Sequence, residues 1–289
     1  MSRIKLKRVR KLIADSQVDP TANHMAALAN AAMFDERAAS AYIGGAPHLK
    51  HPSLRALYED LTMRVFTSAK ANRDTPTILD LGAGEGSATL RFLELGARVT
   101  AVDISESQLR DLRRRCLRFG DKLRVHCEDI AATMHREGEV YDVVVMNSFI
   151  HHIPDYLAAI RNLLPLLGPG GQFFFFQDPV RYDTLDRHVY VFSQLAYFSW
   201  RMCQGNLWRG FKTRLRRIRG VYIAGSLEDD AEYHVTRNGV DCVAIARLLE
   251  SERFNCSVVR YFSTQSGVFQ HIGASLTMEN TFSITAQRR

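Results

Sequence analysis

Strands and helices alternate along the middle of the chain, and this alternation constrains the fold more than any other feature. Short apolar stretches with strand character are each followed by a turn and then by residues at helical spacing. The predicted strands cover residues 77–83, 98–105, 123–130, 141–150 and 171–179. Strands separated by helices of this length run parallel, and a parallel sheet is covered by helices on both faces. The sequence therefore predicts an α/β fold.

The segments on either side of this core complete the predicted architecture. Residues 21–70 are rich in alanine and place apolar residues at i, i+3 and i+4, which predicts N-terminal cap helices. Residues 181–235 interrupt the alternation with an aromatic and basic helical insertion, interpreted as a lid. Residues 236–289 are predicted to form a helix and two last strands, paired antiparallel like a hairpin across a short link. The prediction is a Rossmann-like, mostly parallel seven-stranded sheet in one domain over residues 21–289, behind a basic lead at 1–20.

Charge is distributed unevenly along the 289 residues, whose net charge is +7. Residues 1–12 carry six basic side chains and residues 201–219 carry seven, and neither segment contains an acid. The rest of the chain is mildly acidic, with 25 basic against 31 acidic residues. Such basic patches can contact nucleic acid, phosphorylated substrates or an anionic membrane surface, and composition leaves all three open.

Cysteine usage and hydropathy point to a cytoplasmic protein. The five cysteines are odd in number and contain no CxxC pair, which favours reduced thiols and no zinc ribbon. The longest apolar stretch, residues 189–200, is shorter than the roughly 18 to 20 residues that span a bilayer. No apolar segment follows the basic start, so a secretory signal is not expected.

A glycine-rich loop follows the first predicted strand, in the stretch ILDLGAGEGSATL at residues 78–90. Glycine is costly in regular structure, so Gly82, Gly84 and Gly86 suggest that a ligand approaches the backbone. The ligand crevice of an open α/β sheet lies at this end of the strands. The spacing departs from the dinucleotide pattern GxGxxG, because Ser87 stands where the third glycine belongs. Asp80 would also repel a pyrophosphate, whereas it would suit a cofactor that bears an ammonium group.

These features, with acids after the next two strands, resemble the class I S-adenosylmethionine (SAM) dependent methyltransferases of small-molecule type. The resemblance is strong over residues 77–180, the predicted cofactor-binding core. It implies that the glycine loop contacts the methionine part of SAM and that Asp103 accepts charge-assisted bonds from both ribose hydroxyls. It further implies that Asp129 and Ile130 contact the adenine. The implied SAM-binding residues are Tyr42, Asp80, Gly82, Ala83, Gly84, Gly86, Asp103, Ile104, Asp129, Ile130, Asn147 and Ser148.

Three of these residues have distinct expected positions. Asn147 and Ser148 end the fourth strand, beside the expected place of the sulfonium and its methyl group. Tyr42, in the stretch SAYIGG, resembles a family tyrosine that closes over SAM, and an ordinary tyrosine of an amphipathic helix is the alternative.

The catalytic candidates are His151, His152 and Asp178, which follow the fourth strand or end the fifth. An oxygen or nitrogen nucleophile must lose a proton, and histidine is the usual base near neutral pH. The alternatives are that the histidines only shape the pocket or cap the next helix, and that Asp178 caps a helix. Adjacent histidines without a third ligand do not make a zinc site, so no metal is expected.

The methyl acceptor is predicted to be a small metabolite, apolar or phosphorylated, methylated on oxygen rather than nitrogen or carbon, with S-adenosylhomocysteine as the other product. The stretch NSFI at 147–150 departs from the Asn/Asp-Pro-Pro-aromatic signature of relatives that methylate planar amino groups, so nucleic acid is a less favoured partner. The aromatic and basic insertion suggests a lid or peripheral contact with an anionic membrane, with a solvated helix face as the alternative. RNA methylation and a non-catalytic SAM-fold binding subunit remain the competing functions.

Overall fold

Seven strands form one sheet in the described part of the chain. The structure is a computed structural model that describes residues 20–36, 46–134, 138–203, 221–223, 226–230 and 233–289. The strands are β1 Thr77–Leu81, β2 Arg98–Asp103, β3 Leu123–Cys127, β4 Tyr141–Asn147, β5 Leu167–Pro179, β6 Phe254–Tyr261 and β7 Thr281–Arg288. Their order across the sheet is β3-β2-β1-β4-β5-β7-β6. Strands β1 to β5 pair in parallel, and β7 runs antiparallel to both of its neighbours. The predicted Rossmann-like fold is confirmed.

Helices connect the strands and cover both faces of the sheet. They are α1 Pro20–Glu36, α2 Pro47–Lys50, α3 Pro52–Asn72, α4 Ser87–Leu95, α5 Glu106–Cys116, α6 Ile130–Thr133, α7 Tyr156–Leu163, α8 Arg187–Cys203, α9 Leu227–Asp230, α10 Tyr233–Thr236, α11 Cys242–Ser251 and α12 Gly267–Ser275. A single 3₁₀ turn, Ile150–His152, follows β4. No helix among the described ranges is long and apolar enough to cross a membrane.

Successive side chains of each central strand point to opposite faces of the sheet, so the sheet separates two apolar clusters. The stretch Phe173–Phe176 in β5 shows this directly, because all four rings are fully buried and successive rings enter opposite clusters. Burying such a side chain stabilises the fold by about 1.5–3 kcal/mol relative to leaving it exposed. The two clusters fix the sheet between its helices, and the carboxyl ends of the strands meet at one edge.

The predicted pairing of the last two strands was partly wrong. They are antiparallel, as expected, but they are not a hairpin at the edge, since α12 lies between them and β7 inserts between β5 and β6. Burial explains why β7 takes the inner position. Its side chains Phe282, Ile284 and Ala286 are at most 1% exposed, whereas β6 contains several exposed residues. A buried apolar strand needs neighbours on both sides, and the more polar β6 tolerates the edge.

Several predicted features fall outside the described residues. Tyr42 lies there, as does most of the basic segment 201–219. Of the predicted lid, the structure describes α8, residues 221–223, α9 and α10. The N-terminal helix α1 packs against α9 and against the turn Ile150–His152, so it covers the edge where the strands end.

Candidate active site

A cavity of about 600 Å³ opens at the carboxyl edge of the sheet. This volume is within the range of sites that enclose a small ligand. Among the residues predicted for the site, its lining includes Gly82, Ala83, Gly84, Asp103, Ile104, Asp129, Ile130, Asn147, Ser148, His151 and His152. Asp80, Gly86 and Asp178 lie behind this lining. Apart from Tyr42, which lies outside the described residues, the structure therefore brings the predicted residues to one cavity, either in its lining or directly behind it.

The glycine loop adopts backbone angles that other residues rarely take. Gly82, Gly84 and Gly86 have φ of 70°, 53° and 86°, in the left-handed region that favours glycine. A Cβ on Gly82 would overlap the ring of Phe149. The loop is tied to the next strand, because the N–H groups of Gly82 and Ala83 donate to the Val102 carbonyl at 2.9 and 3.0 Å. Its glycines are thus required by the turn and by the close approach of Phe149.

Asp103 is fixed by backbone donors at the end of β2. Its Oδ2 accepts from the Gly84 N–H at 2.8 Å, and its Oδ1 accepts from the Ser105 N–H at 2.9 Å. The carboxylate therefore joins the glycine loop to the start of α5. A carboxylate held in this way on the cavity wall suits the ribose-binding role that the resemblance implies, because charge-assisted bonds need a fixed acceptor.

Asp80 lies beneath the glycine loop and is only 1% exposed. Its Oδ2 accepts from the Thr89 hydroxyl at 2.6 Å, whereas its Oδ1 has no hydrogen-bond partner among the described residues. Burial is the main cause, and the charge of Asp103 a smaller one, that together raise the pKa of this carboxyl to about 6 against the opposing effect of the bond from Thr89. A buried carboxylate oxygen without a partner fits a cofactor that brings positive charge to the other side of the loop, as the ammonium of SAM would.

The adenine-side and methyl-side candidates occupy the remaining strand ends. Asp129 caps α6 by accepting from the Ala131 N–H at 2.8 Å. Asn147 donates from Nδ2 to the Ser87 hydroxyl at 3.3 Å, while its buried Oδ1 has no described partner. Ser148 has φ of 54°, an unusual conformation for a residue other than glycine and one that concentrates at functional sites.

His151 and Asp178 form a buried pair across the ends of β4 and β5. The Nδ1 of His151 lies 2.7 Å from Oδ1 of Asp178, and the backbone N–H of His151 donates to the same oxygen at 3.2 Å. Asp178 is 0% exposed and His151 is 5% exposed. Burial raises the pKa of the Asp178 carboxyl, and the bonds from His151 oppose that shift. The carboxylate fixes the orientation of the ring, because a carboxylate oxygen accepts and Nδ1 therefore donates to it.

His152 differs from its neighbour in its surroundings. Its ring packs edge-on against Phe34 of α1, with centroids 5.6 Å apart, and lies 4.1 Å from the ring of His151. These contacts place His152 between the cap helix and His151. They suit a residue that shapes the pocket better than one that exchanges protons.

The cavity also includes residues that the sequence did not single out. His48 is only 3% exposed, contacts the rings of Tyr58 and Phe176, and lies 3.5 Å from Asn147 through its Nε2. Burial lowers its pKa to about 4. Tyr197 and Trp200 of α8, aromatic residues of the predicted lid, also line the cavity. The others were not singled out: Asn23, Asn30 and Phe34 of α1 and Ser193 of α8. No local pattern marks them, since they reach the strand ends only through tertiary packing.

The strand order, the glycine loop and the acids after β2 and β3 define the class of SAM-dependent methyltransferases. Residues 79–173 match a family model described as a methyltransferase domain. This match confirms the resemblance over residues 79–173: the chain contains a methyltransferase domain.

Curated relatives match part of the chain. A ubiquinone biosynthesis O-methyltransferase from Idiomarina loihiensis is 32% identical over 112 residues, which cover 39% of this chain and 43% of the relative. The chain thus matches less than half the length of that relative.

Solved structures match over much more of the chain, at low identity. Magnesium protoporphyrin IX methyltransferase from Synechocystis PCC 6803, with bound S-adenosylhomocysteine, has a TM-score of 0.51 at 16% identity and covers 90% of this chain and 95% of that chain. The N-methyltransferase NodS from Bradyrhizobium japonicum WM9, also with S-adenosylhomocysteine, has a TM-score of 0.50 at 12% identity and covers 89% and 95%. At these identities the similarity establishes the fold.

Proposed function

We propose that the protein transfers the methyl group of SAM to a hydroxyl oxygen of a small, uncharged acceptor, with His151 as general base. The observation that carries this proposal is the 2.7 Å bond between His151 and the buried Asp178 at the cavity wall. A histidine whose Nδ1–H is fixed by a carboxylate has its other ring nitrogen ready to take a proton. The proposal ranks oxygen first because a hydroxyl needs such a base.

The cavity residues divide between holding the cofactor and holding the acceptor. When bound, SAM supplies a methyl group already activated by its sulfonium. The glycine loop and Asp103 would hold the methionine and ribose parts, and Asp129 with Ile130 would hold the adenine. Asn147 would then lie next to the methyl group, between the glycine loop and the two histidines.

In the proposed step, His151 takes the proton of the acceptor hydroxyl at Nε2. The acceptor oxygen forms a bond to the methyl carbon as the carbon–sulfur bond breaks, and S-adenosylhomocysteine leaves with the electron pair. Asp178 keeps the ring oriented and stabilises the charge that His151 gains. Alignment of the oxygen with the methyl group supplies most of the remaining rate, because the sulfonium is already a good leaving group.

The charges around the cavity favour an uncharged acceptor over a phosphorylated one. The charged lining residues that the structure describes are all acids: Glu85, Asp103, Glu128, Asp129 and Asp155. These would repel a phosphate. Aromatic side chains from α1 and α8 supply apolar surface instead, in Phe34, Tyr197 and Trp200. Of the two acceptor types that the sequence left open, the apolar one fits this lining better.

The curated relatives support the choice of oxygen. The relative from Idiomarina loihiensis and one from Vibrio cholerae, 32% identical over 118 residues, are both named ubiquinone biosynthesis O-methyltransferases. The matches cover 39% and 40% of this chain, so the name supports the reaction type and leaves the acceptor to experiment.

An exposed apolar stripe on α8 supports a second proposed property, contact with an anionic membrane. Val191, Leu195, Phe198 and Met202 recur at helical spacing and are 37–59% exposed. In the sequence, six basic residues follow between 204 and 219, which would complement anionic lipid. Leu195→Asp should reduce sedimentation with anionic vesicles, while neutral vesicles should bind neither form. Equal sedimentation of both forms with anionic vesicles would argue against this contact.

The decisive experiment supplies the purified protein with isotopically labelled SAM and a metabolite extract. Mass spectrometry should find a small molecule that gains the labelled methyl on oxygen, and His151→Ala should abolish that product. Label in the RNA fraction would instead support RNA methylation. Folded protein that binds SAM and forms neither methylated product nor S-adenosylhomocysteine would support a non-catalytic binding subunit.

A further inference from the structure

His234, which lies outside the predicted site, contacts the chain segment that carries His151. Its Nε2 is 2.9 Å from the carbonyl oxygen of Ile153 and 3.1 Å from that of Pro154. Carbonyl oxygens only accept hydrogen bonds, so Nε2 must carry the hydrogen and donate to both. Only His152 separates Ile153 from His151. The donor therefore acts on the backbone immediately after the proposed base.

The state of His234 is fixed by its surroundings. Burial lowers its pKa to about 4, so the ring is neutral at pH 7. The ring lies between two tyrosines, with centroids 5.0 Å from both Tyr156 and Tyr233. A neutral imidazole carries a single N–H group, and the N–H group of His234 is directed at the two carbonyl oxygens.

The short helix that carries His234 is braced by Arg237. The Arg237 guanidinium lies 3.5 Å from the centre of the Tyr233 ring and donates to the Asp229 carbonyl at 2.7 Å. It also lies 3.5 Å from the carboxylate of Asp230, which is only 6% exposed. These contacts join α9 to α10 and brace the helix that carries His234.

The segment that His234 contacts has few bonds of its own. The turn Ile150–His152 is closed by the His152 N–H donating to Phe149 at 3.0 Å and by the Ile153 N–H donating to Ile150 at 3.1 Å. On its near side the turn continues from β4, which is fixed in the sheet. On its far side, the Nε2–H of His234 donates to the carbonyl groups of Ile153 and Pro154, and Asp155, the N-cap of α7, follows with its N–H 3.2 Å from Oδ1 of Asn23. His234 is therefore the contact that fixes the backbone nearest to His151 on this side.

We propose that His234 is a positioning residue that holds the backbone after His151, so that His151 stays bonded to Asp178 and faces the cavity. The kinetic part of this proposal rests on the proposed function, because it takes His151 as the base. The geometric part does not, since the bond between His151 and Asp178 can be observed without turnover.

The test compares His234→Phe, which keeps a planar ring without a donor, with His234→Gln, whose amide N–H has a similar reach. Proton NMR should show the Nδ1–H of His151 as a downfield resonance that is absent in His151→Ala. We expect His234→Phe to broaden or remove this resonance and to lower kcat about 10- to 100-fold through misplacement of the base. SAM affinity and the acceptor KM should be unchanged, and His234→Gln should recover most of both signals.

Two further variants complete the design. His271→Phe, at an exposed histidine of α12, is the matched control and should change neither signal. If His234→Phe does not fold, His234→Asn replaces it, because the shorter amide keeps a donor that does not reach the carbonyl groups.

The outcomes separate the two proposals. A sharp resonance and wild-type kcat in folded His234→Phe overturn the positioning role, and so does the absence of the resonance from the wild-type protein. A resonance that responds to His234 in a protein without methyl transfer would leave the positioning role standing and contradict the proposed function.

Discussion

The two halves of the cavity are built in different ways. On the cofactor side, the contacts run between loops that directly follow neighbouring strands, as when the Gly84 N–H donates to Asp103, 19 residues away. On the acceptor side, the contacts join distant segments: His48 lies 3.5 Å from Asn147 across 99 residues, and His234 meets Ile153 across 81. The first half is therefore specified by short motifs, whereas the second depends on how the helices pack over the sheet.

The largest expected effect is a loss of catalysis when the acceptor side of the cavity is changed. His151→Ala should lower kcat by about 10² to 10⁴, the usual contribution of a positioned general base. SAM affinity should not change, because His151 lies on the acceptor side. The measurement is labelled-methyl transfer to the identified product, with calorimetry of SAM binding. A kcat within a factor of a few of wild type would show that the ring only shapes the pocket.

The second-largest expected effect is on SAM binding and leaves catalysis unchanged. Asp103→Ala removes a carboxylate that is fixed by two backbone N–H groups, and it should weaken SAM binding by about 10- to 100-fold, since bonds to a charged group contribute about 1.5–3 kcal/mol. At saturating SAM, kcat should stay close to that of the wild type. Calorimetry with SAM and with S-adenosylhomocysteine measures the loss. If kcat collapsed while the Kd stayed the same, the division into two halves would be wrong.

The difference between the halves also explains what the sequence could predict. The glycine loop and Asp103 follow strands that their own apolar patterns reveal, so local sequence was enough to place them at the cavity. His151 and Asp178 were each placed at a strand end, but their 2.7 Å bond depends on β4 and β5 being neighbours in the sheet. His48 and His234 carry no local signal at all, because the residues they contact are far away in the sequence.

The same reason accounts for the error in the fold. Parallel strands with helices between them follow from local periodicity. The position of β7 between β5 and β6 follows from the burial of Phe282 and Ile284, which is decided by pairing partners elsewhere in the chain. Helix α12 follows an N-cap serine, Ser266, but it is only nine residues long and begins with Gly267, a poor helix former, so the start signal alone did not reveal it.

The smallest expected effect concerns Asp80, the buried carboxyl on the cofactor side. Its pKa in the folded protein, about 6, lies well above the ordinary value of an aspartate carboxyl. Between about pH 4 and 6 the folded state therefore binds more protons than the unfolded state, and the free energy of unfolding should fall as pH rises, then level off. Asp80→Asn removes this decline. At pH 7.5 it should raise the free energy of unfolding by about 1–2 kcal/mol, less than the full shift implies, because the charged bond from Thr89 is also lost.

Asp80→Asn also tests whether the buried charge of Asp80, which destabilises the folded state, contributes to SAM binding. Without the charge, the unpartnered oxygen can no longer attract the ammonium of SAM, so SAM should stabilise Asp80→Asn less than it stabilises the wild type. Thermal unfolding from pH 4 to 8, with and without SAM, measures both effects, and Thr89→Val is a control that removes only the hydroxyl bond to Asp80. A more stable Asp80→Asn protein with undiminished SAM stabilisation would mean that Asp80 has no part in cofactor binding, and the cofactor side would then depend on the glycine loop and Asp103.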